Sequence, residues 1–158
     1  MFSLPPPVEN QPKPRPTLVA HILATRTPSE KITDATMGIP PDWRNKGTIP
    51  NGTESEPLGH QDQGGTIAVH SLAVLNEHQG KGLGTTLMKA YIQRIKDAEI
   101  ADRIALLSHD HLVPFYESLG FVNRGESECK FGGGGWYDMV CAWSTHGDSI
   151  QSLECTDT

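Results

Sequence analysis

The chain has 158 residues, 36% hydrophobic and 20% charged, with a formal charge of −6. That length suits one domain with one ordinary core, and the acidic balance argues against nucleic acid or an anionic membrane as a partner. No apolar run is long enough to span a bilayer, and residues 1–16 contain no apolar segment of signal-peptide length. Cys129, Cys141 and Cys155 are odd in number and lack metal-ligand or redox spacing, which leads us to expect a reducing, cytoplasmic setting.

Residues 1–16 carry Pro5, Pro6, Pro7, Pro12, Pro14 and Pro16 and read as an extended lead-in, because proline cannot donate to a ladder. Residues 17–26 are the first credible strand, with Leu18, Ala20, Ile22 and Ala24 on one face and His21 on the other. Residues 28–65 form a long polar connection marked by the turn signals Pro40-Pro41, Asn51-Gly52 and Gly64-Gly65. Within it a short helix over residues 29–37, capped by Ser29, is expected. Residues 66–75 have the β-branched and apolar character of a buried strand. Gly80, Gly82 and Gly84 then punctuate a turn, after which Leu83, Leu87, Tyr91 and Ile95 recur every fourth residue, beside Met88 and Ile92, as one apolar helix face. Residues 101–108 predict a strand. Residues 111–119 predict a helix with Asp110 as its cap, Pro114 in its first turn and Gly120 as its stop. A strand begins at Phe121-Val122, residues 132–135 interrupt it, and residues 136–143 make the last strand. Residues 146–158 read as a polar tail. The order β, β, α, β, α, β, β predicts a mixed α/β (α+β) domain over residues 17–145.

A strand, then glycines, then a helix start presents backbone N–H groups and a positive helix end to a phosphate. Two familiar phosphate motifs fail here: Thr85 breaks the G-x-G-x-x-G spacing, and no G-x-x-x-x-G-K-[ST] occurs. What fits is Q-x-x-G-x-G at Gln79, Gly82 and Gly84, joined by F-Y-x-x-x-G-F from Phe115 to Phe121. With these two motifs the chain resembles the GNAT superfamily of acetyl-CoA-dependent N-acetyltransferases. His70-Ser71-Leu72-Ala73-Val74 and Val113-Pro114-Phe115-Tyr116 are similar to the serotonin (arylalkylamine) and polyamine N-acetyltransferases within it. The likeness runs over about residues 17–143.

That resemblance implies a central, mostly antiparallel, twisted sheet with flanking helices. It implies acetyl-CoA as co-substrate, no metal, and a small primary amine, arylalkylamine or polyamine, as acceptor. Gln79, Gly80, Lys81, Gly82, Leu83, Gly84 and Thr85 would then hold the pyrophosphate, and Leu72, Ala73 and Val74 would offer backbone contacts to the acyl arm. His70 matches the family's base and Tyr116 the tyrosine that returns a proton to the thiolate. The family's second histidine, two residues before His70, is Ala68 here. The strand and two helices that usually open the domain have no counterpart before residue 17, beyond Phe2-Ser3-Leu4 as a remnant. Those departures motivate one alternative, a catalytically weak acyl-CoA-binding module; a second, an acetyltransferase of protein amines, follows from the cofactor motif being common to all branches of the superfamily. His78 is expected to face solvent, and His109 and His111 to be loop residues rather than metal ligands. Trp136, Tyr137 and Asp138 either border the acceptor pocket or pack in a hairpin. The sequence says nothing of oligomeric state.

Overall fold

The computed structural model describes residues 15–40, 44 and 58–143; the lead-in up to residue 14, Phe2-Ser3-Leu4, Pro41, Asn51-Gly52 and the tail lie outside these. Five strands form one sheet in the order β1-β2-β3-β5-β4. They are β1 (Ala20–Thr27), β2 (Thr66–Val74), β3 (Arg103–Ser108), β4 (Val122–Glu126) and β5 (Tyr137–Ala142), with helices α1 (Asp34–Met37), α2 (Leu83–Asp97) and α3 (Val113–Glu117) between them. All neighbouring pairs are antiparallel except β2 with β3, so the expected mixed α/β fold with a mostly antiparallel sheet is found.

The core lies between the sheet and α2. Met88, Ile92 and Ile95 of the helix pack on Ile67, Val69, Ile104, Leu106, Met139 and Cys141. Met88, Ile104 and Met139 are wholly buried. These are the alternate residues of three strands and one stripe of a helix, as periods of two and 3.6 require. The opposite sheet face is covered by a smaller cluster, Ile32 over Ala68 and Ala105, with Met37, Leu107 and Val140 beside it.

Several boundaries differ from the sequence expectation. β1 starts at Ala20 rather than residue 17, because its ladder with β2 begins at Ala20–Val74, and Leu18 is left 73% exposed. The helix expected over 29–37 contracts to the single turn α1. Thr33, not Ser29, caps it: the Thr33 hydroxyl accepts the Thr36 N–H at 3.2 Å and the Thr36 hydroxyl accepts that of Thr33 at 2.9 Å. The Ser29 hydroxyl instead donates to the Lys31 carbonyl at 2.7 Å. Before α3 the chain makes a 3-10 turn over Asp110–Leu112, and Asp110 takes the N–H of His111 at 2.7 Å from inside that turn rather than as its cap. Gly120 does end the helical segment: at φ 92° it lets the N–H groups of Gly120 and Phe121 reach the carbonyls of Glu117 and Tyr116 at 3.0 and 3.1 Å. That closure turns Phe121 into the core, where it is 3% exposed.

Candidate active site

The site is built where β2 and β3 part. Their parallel ladder runs from Thr66–Arg103 to Val69–Leu106 and stops, although β2 continues to Val74 and β3 to Ser108. A second irregularity sits at the same level. Across β1, Leu23 pairs with Ser71 and Ala24 with Val69, so His70 is an extra residue, a bulge in β2. The bulge resets the alternation. Val69 and Leu72 both face the α2 core, while His70 and Ser71 both turn to the other face. His70 Nε2 lies 2.7 Å from the Thr25 hydroxyl and Ser71 Oγ 3.5 Å from His21 Nε2.

On the α2 side the parting strands open a cleft of about 520 Å³. Of the residues expected at the site, Leu72, Val74, Gln79, Gly80, Gly82, Leu83, Gly84, Thr85 and Tyr116 line it, together with His78, Leu112 and Phe115. Gly80 and Gly82 are left-handed, at φ 70° and 76°, a conformation that costs glycine nothing and other residues much. Gly82 precedes α2, whose first internal bond runs from Thr86 N–H to the Gly82 carbonyl at 3.0 Å. The N–H groups of Leu83, Gly84 and Thr85 are therefore the unbonded first-turn donors of a fifteen-residue helix, aimed along the cleft. Gly84 has an ordinary helical backbone, with Phe115 Cζ and Val74 Cγ2 each 3.8 Å from where a Cβ would stand. Close approach, not left-handed geometry, is what its missing side chain allows.

Gln79 works locally. Its amide donates to the Val74 carbonyl at 2.9 Å and to Asn76 Oδ1 at 3.1 Å, pinning the glycine turn to the end of β2. The Lys81 ammonium reaches the Glu77 carbonyl at 2.8 Å and is exposed. Lys81, Ala73 and His70 are not among the residues that line this cleft; Ala73 lines a separate hollow with His21 and Leu75.

Tyr116 reaches the cleft from α3, wedged edge-on between Phe115 and Phe121 at 5.0 and 5.7 Å between ring centres. Burial pushes its phenol above the ordinary value, so it stays protonated at neutral pH. Phe115 packs against the core and also lines the cleft. His70 is half-buried, and that burial pushes its imidazole below the ordinary value. It is therefore neutral at physiological pH, with its ring held by Thr25. Ala68, where the likeness would place a second histidine, is 0% exposed beneath Ile32 and Ala105, which leaves one imidazole on this stretch of β2.

His78 is a departure from expectation: it is half-buried rather than solvent-facing, its Nδ1 is buried with no partner among the described residues, and it lines the cleft. Its position beside the glycine turn was the one sequence signal for it. His111, His109 and Trp136 form a stack, with ring centres 5.9 and 4.1 Å apart, and the Trp136 indole donates to the Phe131 carbonyl at 2.7 Å. Among the described residues, no three His, Cys, Asp or Glu side chains gather as a metal would require, and no helix is long and apolar enough to cross a membrane.

A sheet split between parallel neighbours, with a left-handed glycine turn and a helix start at the opening, is the framework of the acyl-CoA N-acyltransferases. Residues 53–143 match the family model described as "Acetyltransferase (GNAT) domain", and the chain belongs to that family. It is 30% identical over 87 residues to serotonin N-acetyltransferase of Mesocricetus auratus, covering 55% of this chain and 42% of that one. With the Macaca mulatta enzyme it shares 33% over 92 residues, 58% of this chain and 45% of that one. The matched part thus spans less than half of these relatives' own length. In fold, it is similar to AAC(6')-Ib in complex with ribostamycin and coenzyme A, at a TM-score of 0.50 and 18% identity over 83% of this chain and 63% of that one.

Proposed function

We propose that this chain transfers the acetyl group of acetyl-CoA to a small primary amine, an arylalkylamine or a polyamine, by direct attack within a ternary complex. The observation that carries this reading is that the glycine turn, the free first-turn amides of α2 and Tyr116 share one cleft at the level where β2 and β3 part. The amides of Leu83, Gly84 and Thr85 suit a pyrophosphate, since the left-handed Gly80 and Gly82 turn them outward as an anion nest. The apolar wall of Leu72, Val74 and Phe115 suits a pantetheine arm.

An alkylammonium with a pKa of about 10 must lose a proton before it can attack. His70, neutral and oriented by Thr25, is the base, acting through water, and it stands on the sheet face opposite the cleft. The amine nitrogen's lone pair forms the new N–C bond, the C–S bond breaks toward the sulfur and the leaving thiolate takes the Tyr116 proton, while the surplus proton on the acylated nitrogen passes to solvent, from which the Tyr116 phenolate is reprotonated. Base and acid thus stand on opposite faces of the sheet, on either side of the gap between β2 and β3. No described residue hydrogen-bonds the Tyr116 hydroxyl, so its proton is free for this step.

The test is thiol release from acetyl-CoA with a panel of tryptamine-type amines, diamines and lysine peptides. Amine-dependent thiol above the blank is the expected result. Coenzyme A binding without turnover on any acceptor would replace the reading with that of a binding module. Turnover on peptides alone would replace the small amine with a protein amine.

A further inference from the structure

The cleft that suits the cofactor has one polar side chain in its wall that the acetyl-transfer reading leaves unused. His78, Gln79, Thr85 and Tyr116 are the residues with polar side chains among those that line it. Tyr116 is assigned to the leaving sulfur. Gln79 spends its amide N–H groups on the Val74 carbonyl and Asn76 Oδ1. Thr85 belongs to the first turn of α2, whose amides are already assigned. The cation of the glycine turn, Lys81, gives its ammonium to the Glu77 carbonyl. His78 is left over.

Its place in the chain says which part of a ligand it meets. β2 ends at Val74, and a 3-10 turn over Asn76–His78 leads into the glycines. The His78 N–H donates to the Leu75 carbonyl at 2.8 Å, which fixes the residue to that turn. His78 therefore stands between the apolar wall of Leu72 and Val74 and the left-handed turn at Gly80 and Gly82. For an apolar arm that ends in a pyrophosphate, that junction is where the first phosphate arrives. The two ring nitrogens are not equivalent. Nδ1 is buried without a partner, whereas Nε2, also without a hydrogen bond among the described residues, is not buried. A proton on Nδ1 would bury an N–H with no acceptor, while a proton on Nε2 stays where a ligand can take its hydrogen bond.

We propose that His78 carries its proton on Nε2 and donates it to a pyrophosphate oxygen of the cofactor, at the end joined to the pantetheine arm. It would add a side-chain donor to the backbone amides of Leu83, Gly84 and Thr85. The proposal rests on the cofactor reading above and adds a binding residue to it.

The test is calorimetric titration with coenzyme A and with pantetheine, which lacks the pyrophosphate. A glutamine amide extends about as far as Nε2 and an asparagine amide about as far as Nδ1, so the two substitutions separate the nitrogens. His78→Ala and His78→Asn should weaken coenzyme A by about tenfold or more, the worth of one hydrogen bond to a charged group. His78→Gln should stay close to wild type, and pantetheine should bind all four proteins alike. Nitrogen NMR of the wild-type imidazoles reads the tautomer directly, and so keeps the idea exposed if a variant fails to fold. The expected result is a proton on Nε2 of His78 and a shift of that resonance when coenzyme A is added. A proton on Nδ1, an unchanged affinity in His78→Ala, or equal losses in the Asn and Gln variants overturns the role of His78 alone. Wild type that binds no coenzyme A overturns the cofactor reading and this assignment with it.

Discussion

Two glycines two residues apart should respond to the same substitution with opposite signs. Gly82 sits at φ 76°, ψ 5°, and nothing lies within 4 Å of where its Cβ would be. An alanine there meets no clash but is forced into the left-handed region, which costs about 1–2 kcal/mol. The stiffer unfolded chain returns about 0.4–1 kcal/mol, for a net loss of about 1 kcal/mol. Gly84 is helical and its nearest neighbours stand at 3.8 Å, ordinary contact distance. Alanine there should gain about 0.5–1 kcal/mol, the usual advantage over glycine within a helix. For a chain of this length, 1 kcal/mol moves the melting temperature by about 2–4 °C. Thermal melts without ligand should therefore show Gly82→Ala lower than wild type by about 2–4 °C and Gly84→Ala equal to it or higher. Calorimetric titration with coenzyme A should show both binding more weakly, the first because the nest is distorted and the second because a methyl enters the cleft between Phe115 and Val74. If Gly82→Ala melts no lower than wild type, the left-handed requirement at that position is wrong.

Tyr116→Phe removes one hydroxyl and keeps the edge-on packing with Phe115 and Phe121. Turnover should fall by about 10²-fold or more, in line with loss of a general acid, while the coenzyme A dissociation constant measured by titration changes little; an unchanged kcat takes Tyr116 out of the mechanism. His70 carries a pH signature in stability. Burial lowers its folded pKa, so the unfolded chain binds the proton more readily, and the stability held above the ordinary imidazole value of about 6.5 is lost as pH falls through the lower folded value. Melting curves at pH 7.5 and pH 5.5 should therefore show a smaller acid-induced drop for His70→Gln than for wild type, and an equal drop would show that the burial of His70 carries no such linkage.

The regular parts of this fold are legible in the sequence because they obey a single period. The β-branched and apolar run over residues 66–75 and the four-residue recurrence from Leu83 to Ile95 mark β2 and α2, and the glycines between them mark the turn. What escapes is whatever breaks a period. His70 reads as one more alternating residue until the pairing with Leu23 and Ala24 reveals the bulge. Residue type points to Ser29 as the α1 cap, whereas the cap is Thr33 in a box with Thr36, and the helix it opens is docked by Asp34 accepting the N–H of Lys130 at 3.0 Å, a contact across 96 positions of sequence. His78 looks like an ordinary polar residue of a loop, and only the fold shows it half-buried at the wall of the cleft.

The bulge in β2 is one residue long, so a single codon decides which side chains of that strand meet which ligand. With strict alternation, His70, Leu72 and Val74 would share one face, and either the base or the apolar wall would be on the wrong side. A one-codon deletion at Ser71 would restore the alternation without touching the glycine turn, and would leave His70 on one face and Leu72 and Val74 on the other, as they are now. Within such a lineage, a length change in this strand would be tolerated only where it keeps His70 and Leu72 on opposite faces. Insertions and deletions between Val69 and Leu72 are therefore the inherited variation to watch when neighbouring sequences are compared.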